Sequence, residues 1–208
     1  MAACLLLLAC AERTPRLPTN ALDQAAACGV VAAATERQLA GAKGDLPAEG
    51  QARILHYAML YASSGPSLDQ DKVNKVSARM PALFDQTIKG RWQTLEPKCG
   101  ALFPATRVSQ PTLPARPLDS MLQCYALADF LRRALSELGG SYGQAANDYG
   151  ALKDRLDAKL TPTLRAAGLH NGPALQQKKL AELASAAKAG QPPAVIAACK
   201  QAYPGTGR

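Results

Sequence analysis

Residues 90–104 have the sequence GRWQTLEPKCGALFP, and residues 190–204 have the sequence GQPPAVIAACKQAYP. In both segments a glycine precedes a cysteine by nine residues, and an aromatic residue and a proline follow that cysteine at four and five residues. Apolar residues also lie four before and three after each cysteine, which places them on the same helical face as the cysteine. The pattern predicts that each segment is a short buried helix ended by its proline.

A second pair of cysteines lies upstream in surroundings that also match. Cys28 and Cys124 are each followed by alanine, arginine and leucine at offsets of four, nine and eleven residues. We interpret the two matches together as a tandem duplication of a unit of about 85 residues, covering residues 20–104 and 119–204. The alternative is coincidence in an alanine-rich helical chain, since only a few positions match.

The periodicity of apolar residues predicts an all-α fold. Helices are expected over residues 20–40, 45–63, 67–90, 92–103, 120–138, 144–167, 173–189 and 193–202. Pro81 and Pro162 are expected to kink or restart the helices that contain them, and Ser67 and Ser120 to cap helix starts. No long alternating run predicts a strand. We therefore expect two tandem disulfide-pinned units of about four helices each, packed together and joined by a proline-rich linker over residues 105–118.

The first residues of the chain have the composition of an export signal. The sequence MAACLLLLACAER is too short in its apolar part to span a bilayer, but its length matches a signal-peptide hydrophobic region. Residues 7–10, LLAC, resemble the lipobox of bacterial lipoproteins, which implies lipidation of Cys10. Residues 9–11, ACA, instead match an ordinary signal-peptidase site. We expect residues 1–19 to be a leader and tether that one of these two processes removes in part.

Either cleavage leaves four cysteines in the globular part of the chain. An even number of cysteines in an exported protein favours disulfides, and the repeat selects the pairs Cys28–Cys99 and Cys124–Cys199. Reduced buried thiols are the alternative. A zinc site is disfavoured because the sequence has no C-x-x-C motif and no histidine at ligand spacing from a cysteine. We expect no metal and no cofactor.

The net charge of +8 is spread thinly along the chain. The first unit has nine Lys and Arg against eight acidic residues, and the second has ten against seven, which gives +1 and +3. The basic doublets Arg132-Arg133 and Lys178-Lys179 have no aromatic residues interleaved, unlike the surfaces of single-strand binders. We expect no nucleic-acid partner.

Two short motifs resemble catalytic signatures without their structural context. Residues 139–143, GGSYG, match the G-x-S-x-G nucleophile elbow, but they follow a predicted helix and no sheet is expected. Residues 185–188, SAAK, match S-x-x-K without its companion K-T-G motif. His56 and His170 are the only histidines, and structural roles are favoured for both. We therefore name no catalytic residue.

A candidate ligand groove is expected near His56 and its neighbour Tyr57, with Tyr61 one helical turn further on. Trp92, the single tryptophan, is the other candidate for this groove. A tryptophan next to a disulfide-bonded helix is more often a core anchor, and this is the favoured alternative for Trp92. The expected function is that of a non-catalytic exported bacterial envelope protein in the periplasm, attached to the outer membrane only if Cys10 carries lipid. It would bind a partner protein, an envelope polymer or a small apolar ligand in a cleft between the units.

Two other functions stay open at this point. The first is an inhibitor or immunity-type protein that blocks a secreted enzyme through the linker 105–118 or the loop 139–143. The second is a cell-wall or lipid hydrolase of unrecognised pattern that uses carboxylates or His56. The hydrolase would have a polar cleft that contains a buried carboxyl group with a raised pKa.

Overall fold

The computed structural model describes residues 15–41, 44–169 and 172–205, and within these ranges the fold is all-α, as predicted. The eight α-helices are α1 (Ala21–Leu39), α2 (Ala48–Ala62), α3 (Gln70–Thr87), α4 (Glu96–Leu102), α5 (Pro117–Leu138), α6 (Gly143–Ala166), α7 (Pro173–Ala189) and α8 (Pro192–Ala202). Short 3-10 turns precede α4, follow it and precede α6, at Trp92–Leu95, Pro104–Arg107 and Gly140–Tyr142. The described ranges contain no β-strand.

Side-chain caps fix the starts of α1 and α3. The side chain of Asn20 accepts the backbone N–H three residues later at 2.8 Å, at the start of α1. Asp69 does the same for α3, accepting two backbone N–H groups at 3.0 and 3.3 Å. The caps predicted at Ser67 and Ser120 are wrong, because α3 begins after Asp69 and α5 begins at Pro117. Because Pro117 has no backbone N–H, the first turn of α5 has one donor fewer that a capping side chain would have to satisfy.

Pro81 and Pro162 lie inside continuous helices, so the prediction that the helices restart there is wrong, and a kink at either proline stays a prediction. An internal proline costs about 3 kcal/mol through its lost hydrogen bond. Large side chains on the core face of each helix offset that cost, because each contributes about 1.5–3 kcal/mol when buried. These apolar stripes run past both prolines and contain Val73, Val76 and Leu83 in α3 and Leu152, Leu156, Leu160 and Leu164 in α6.

One hydrophobic core joins helices from both predicted units. It contains buried side chains from α1, α2, α3, α5, α6, α7 and α8. Helix α1 contributes mostly small residues over 25–31, which allow its neighbours to approach closely. Helix α2 packs against α1 and α3 on one side and against α5, α7 and α8 on the other. The two units therefore share their interior.

Both predicted disulfides are present. Cys28–Cys99 joins α1 to α4, and Cys124–Cys199 joins α5 to α8. The two aromatic residues after the second cysteines have matching backbone conformations, with φ −126° and ψ 68° at Phe103 and φ −128° and ψ 66° at Tyr203. In each case the backbone N–H of the aromatic residue donates to the carbonyl of the cysteine four residues earlier, at 2.9 Å.

Helices α1 and α5 also occupy matching places, since each packs against the two helices that follow it and carries a disulfide to the fourth. These similarities are in keeping with the duplication. The duplication and the unit boundaries at residues 20–104 and 119–204 stay interpretations.

The proline-rich linker lies against the junction between α7 and α8. The backbone N–H of Gln191 donates to the carbonyl of Val108 at 3.0 Å, and its side-chain amide donates to the carbonyl of Thr106 at 2.7 Å. The linker passes so close that a Cβ atom at Gly190 would lie 2.8 Å from the Val108 carbonyl oxygen. This part of the linker is therefore fixed by backbone contacts to the second unit.

The disulfides indicate that the chain folds in an oxidising compartment, as exported proteins do. Among the described residues, no helix combines the length and apolar character that crossing a membrane would require. The predicted leader up to residue 14 and the lipidation site Cys10 lie outside the described residues.

Candidate functional site

The main cavity is apolar and lies between α1, α2, α3 and the C-terminal end of α5. Its volume is about 730 Å³, within the size range of small-molecule sites. It is lined by Val30, Ala33, Gln51, Ile54, Leu55, Ser77, Met80, Pro81, Phe84, Asp85, Ala134, Glu137 and Leu138. The lining comes from both predicted units, as the expected cleft between units would require.

Helix α3 builds one wall because a second apolar strip lies beside its core stripe. Met80, Pro81 and Phe84 follow each other at helical spacing, next to the residues that α3 buries in the core. The facing helices present small side chains, Ala33 on α1 and Ala134 on α5, and these leave the space open.

Apolar side chains also stand at the mouth of this cavity. Phe84 is 43% exposed and Leu138 is 53% exposed, which is unusual for side chains of this size. This site was not predicted from the sequence. The sequence signal for this site was the apolar face of α3, which is wider than the row of side chains that α3 buries in the core.

A smaller polar cleft contains part of the predicted groove. Its volume is about 240 Å³, and both His56 and Tyr57 line it. Tyr61 and Trp92 do not line this cleft. Tyr61 lies further along α2, where the Nζ of Lys72 is 5.9 Å from its ring centroid, and Trp92 packs against the small cluster around the Cys28–Cys99 disulfide.

His56 is a buried structural residue at the edge of this cleft. Its side chain is 1% exposed, and its Nε2 lies 2.7 Å from the carbonyl oxygen of Ala187, which assigns the proton to Nε2. Burial lowers the pKa of His56 from 6.5 to about 4, and the hydrogen bond to Ala187 opposes this only in part. The imidazole is therefore neutral at pH 7 and connects α2 to the end of α7.

The carboxylates of the polar cleft are engaged by neighbouring side chains. The guanidinium of Arg53 donates to both oxygens of Glu36 at 2.5 and 2.8 Å. The hydroxyl of Thr35 donates to Glu96. Burial raises the pKa of the Tyr57 phenol above its usual range. The buried carboxylate of this cleft, Glu36, is therefore paired with Arg53, and the exposed carboxylate of Glu96 accepts from Thr35.

The two short motifs are parts of ordinary helical structure. Ser141 lies in the turn between α5 and α6, and its hydroxyl donates to the carboxylate of Asp45 at 2.7 Å. Ser185 and Lys188 lie on the exposed face of α7, and Lys188 Nζ donates to the carbonyl of Gly65 at 3.2 Å. Within the described ranges no three His, Cys, Asp or Glu side chains converge as a metal site requires, and His170 lies outside those ranges.

Comparison of the chain with known protein families, with curated proteins and with solved structures finds no match. Function must therefore be inferred from the geometry of the chain itself.

Proposed function

We propose that the protein is a non-catalytic binding protein that holds a small apolar ligand in the cavity between α1, α2, α3 and α5. The observation that carries this proposal is the cavity of about 730 Å³ lined mainly by carbon, with Phe84 and Leu138 exposed at its mouth. Leaving such side chains in water costs free energy that a ligand recovers when it covers them. The cavity is open to solvent on one side, and its volume lies within the range of small-molecule sites, which supports a small apolar ligand as its occupant.

The direct test is binding of a neutral fluorescent apolar probe, N-phenyl-1-naphthylamine, to the purified full chain. The probe should brighten on binding, and Ala134→Trp should weaken the signal because the indole occupies part of the cavity. Circular dichroism and thermal melting establish that this variant is folded. Ala134 is partly buried, so a second, exposed position is needed in case the larger side chain prevents folding.

Phe84→Ser supplies that second variant, and Leu102→Ser is its matched control. The two residues are similarly exposed, at 43% and 47%, but Leu102 lies on α4, away from the cavity. We expect Phe84→Ser to weaken probe binding about threefold to tenfold and Leu102→Ser to leave it unchanged. Equal effects of the two substitutions, or no binding by the wild-type chain, would contradict the proposal.

We further propose that the protein works in the bacterial periplasm and is attached to the outer membrane through a lipid on Cys10. The support is the resemblance of residues 7–10 to a lipobox, together with the oxidised cysteines. Cys10→Ser should move the protein from the membrane fraction to the periplasmic fraction. A protein found in the periplasmic fraction with or without the substitution would instead favour cleavage at the A-x-A site.

A further inference from the structure

The polar groups that line the apolar cavity are mainly hydrogen-bond acceptors. Asp85 on α3 and Glu137 on α5 place carboxylates at the exposed mouth, on two different walls. Gln51 donates one amide N–H to the hydroxyl of Tyr142 at 2.9 Å and keeps its carbonyl oxygen as an acceptor, and the hydroxyl of Ser77 can both donate and accept. The two carboxylates are the only charged groups among the described lining residues, so a ligand that matches them carries a positive charge.

The backbone of α3 lacks one helical hydrogen bond at the same wall. Pro81 has no N–H, so the helical hydrogen bond to the carbonyl of Ser77, four residues earlier, is missing. Both residues line the cavity. The missing hydrogen bond of α3 therefore lies beside the cavity.

Among the described residues, no cationic side chain lines the cavity, although the chain as a whole carries a net charge of +8. Within the described ranges neither Asp85 nor Glu137 has a basic group within ion-pair distance. The nearest basic residues along the two helices are Lys89 and Arg133, one turn from these acids. Arg133 pairs with Asp129 at 3.2 Å, and Lys89 does not line the cavity.

We propose that the ligand is a cationic amphiphile, with an apolar body inside the cavity and a single amine or quaternary ammonium group at the mouth between Asp85 and Glu137. This inference rests on the proposed function, since it specifies the ligand of the same cavity. An anionic amphiphile such as a fatty acid would bring its carboxylate against two carboxylates, without a basic lining side chain to compensate.

The test compares three ligands with the same dodecyl chain below their micellar concentrations. Dodecyltrimethylammonium, dodecanol and dodecanoate compete for the cavity against N-phenyl-1-naphthylamine at low ionic strength. We expect the ammonium compound to bind about tenfold more tightly than dodecanoate, with dodecanol between them. The difference should shrink in high salt, because exposed charges are screened.

The double variant Asp85→Asn/Glu137→Gln should remove this preference and leave the affinity for dodecanol unchanged. Asp154→Asn is the matched control, because Asp154 is an exposed carboxylate on α6 outside the cavity. We expect this control to retain the full preference. A preference that survives the double variant, or that is lost equally in the control, would overturn the assignment of the head group.

Different binding results would overturn the cationic ligand and the apolar site. Equal binding of dodecanoate and the ammonium compound would overturn the cationic ligand and leave the apolar site intact. Failure of all three ligands, including dodecanol, would overturn the site itself. A dimer that Phe84→Ser dissociates, with no ligand bound, would show that a second copy of the chain covers the cavity, and this would overturn both.

Discussion

His56 has the lowest exposure of the buried ionisable side chains in the described residues. Its environment stabilises the neutral imidazole, which donates to Ala187 and has no partner at Nδ1 within the described part of the chain. The pKa is lowered from 6.5 to about 4, chiefly by burial. His56 therefore makes folding sensitive to mild acid.

We predict that the free energy of unfolding falls as the pH drops from about 6.5 to about 4. In this window the unfolded chain binds a proton at His56 and the folded chain does not, so protonation favours unfolding. The full stability is present above pH 6.5, and the total loss across the window is about 3 kcal/mol. Urea unfolding at about pH 7, 5.5 and 4 measures it.

His56→Gln is the control for this pH dependence. Glutamine can still donate to the Ala187 carbonyl but does not titrate, so we expect lower stability at pH 7 and a flatter profile between pH 6.5 and 4. Hydrogen bonds from Arg79 and Asn20 lower the pKa of Asp23 to about 2, so its contribution is lost only below pH 3.8. An unchanged slope in His56→Gln would show that His56 is not the responsible group.

Position 190 requires glycine because the backbone of the linker passes close to it, and not because the chain turns there. We predict that Gly190→Ala lowers the free energy of unfolding by about 1–3 kcal/mol, because its Cβ would lie 2.8 Å from the Val108 carbonyl oxygen. Gly143→Ala is the matched control. Gly143 has a helical backbone conformation, and a Cβ there would have open space within 4 Å in the described part of the chain, so alanine should be neutral or slightly stabilising. Equal melting temperatures for the two variants would contradict the contact with the linker.

At the scale of the helices, the disulfides join elements that are distant in sequence. Cys28–Cys99 spans 71 residues and joins α1 to the short α4, beside a small cluster around Val31 and Leu95. Cys124–Cys199 spans 75 residues and joins α5 to α8, with both cysteines in the main core. The short α4 depends on its disulfide for attachment, since a helix of seven residues is not stable alone.

We predict that removing either disulfide lowers the free energy of unfolding by about 4 kcal/mol, because the two closed loops have almost the same length. The variants Cys28→Ala/Cys99→Ala and Cys124→Ala/Cys199→Ala, unfolded in urea, provide the comparison. Each pair serves as the control for the other. A loss below about 1 kcal/mol for either pair would show that its disulfide does little to restrict the unfolded chain.

At the scale of the whole molecule, α2 decides how the two predicted units relate. It packs against α1 and α3 of its own unit and against α5, α7 and α8 of the other. Hydrogen bonds cross between the units at several places, among them His56 to Ala187 and the backbone N–H of Leu68 to the carbonyl of Leu180 at 3.0 Å. Separation of the units would expose the buried face of α2.

We predict that the protein unfolds in a single cooperative transition, because both units share one core. Calorimetry should give equal calorimetric and van't Hoff enthalpies, and the fragment 20–104 expressed alone should lack a cooperative melt. Two separate transitions, with the fragment folding independently, would instead support two autonomous domains joined by the linker 105–118.

Much of the secondary structure and both disulfides were predictable from the sequence. The helix end at Leu138 is set by Gly139, whose positive φ favours glycine, and the cysteine pairs follow from matched local spacing. These features depend on neighbours in sequence or on covalent bonds. The helices do not restart at Pro81 and Pro162, because burial of apolar stripes on both sides of each proline outweighs the local preference to break the helix.

The sequence by itself determined the all-α class, the cysteine pairing and the prediction of export, since each depends on periodicity, spacing or composition. Only the tertiary structure decided that α3 and the end of α5 line an apolar cavity with α1 and α2, and that His56 and Tyr57 share a polar cleft without Tyr61 or Trp92. The physical reason is that a cavity is the space left between faces of helices that are distant in sequence. Its size and charge depend on which side chains meet there, such as Ala33, Phe84 and Glu137.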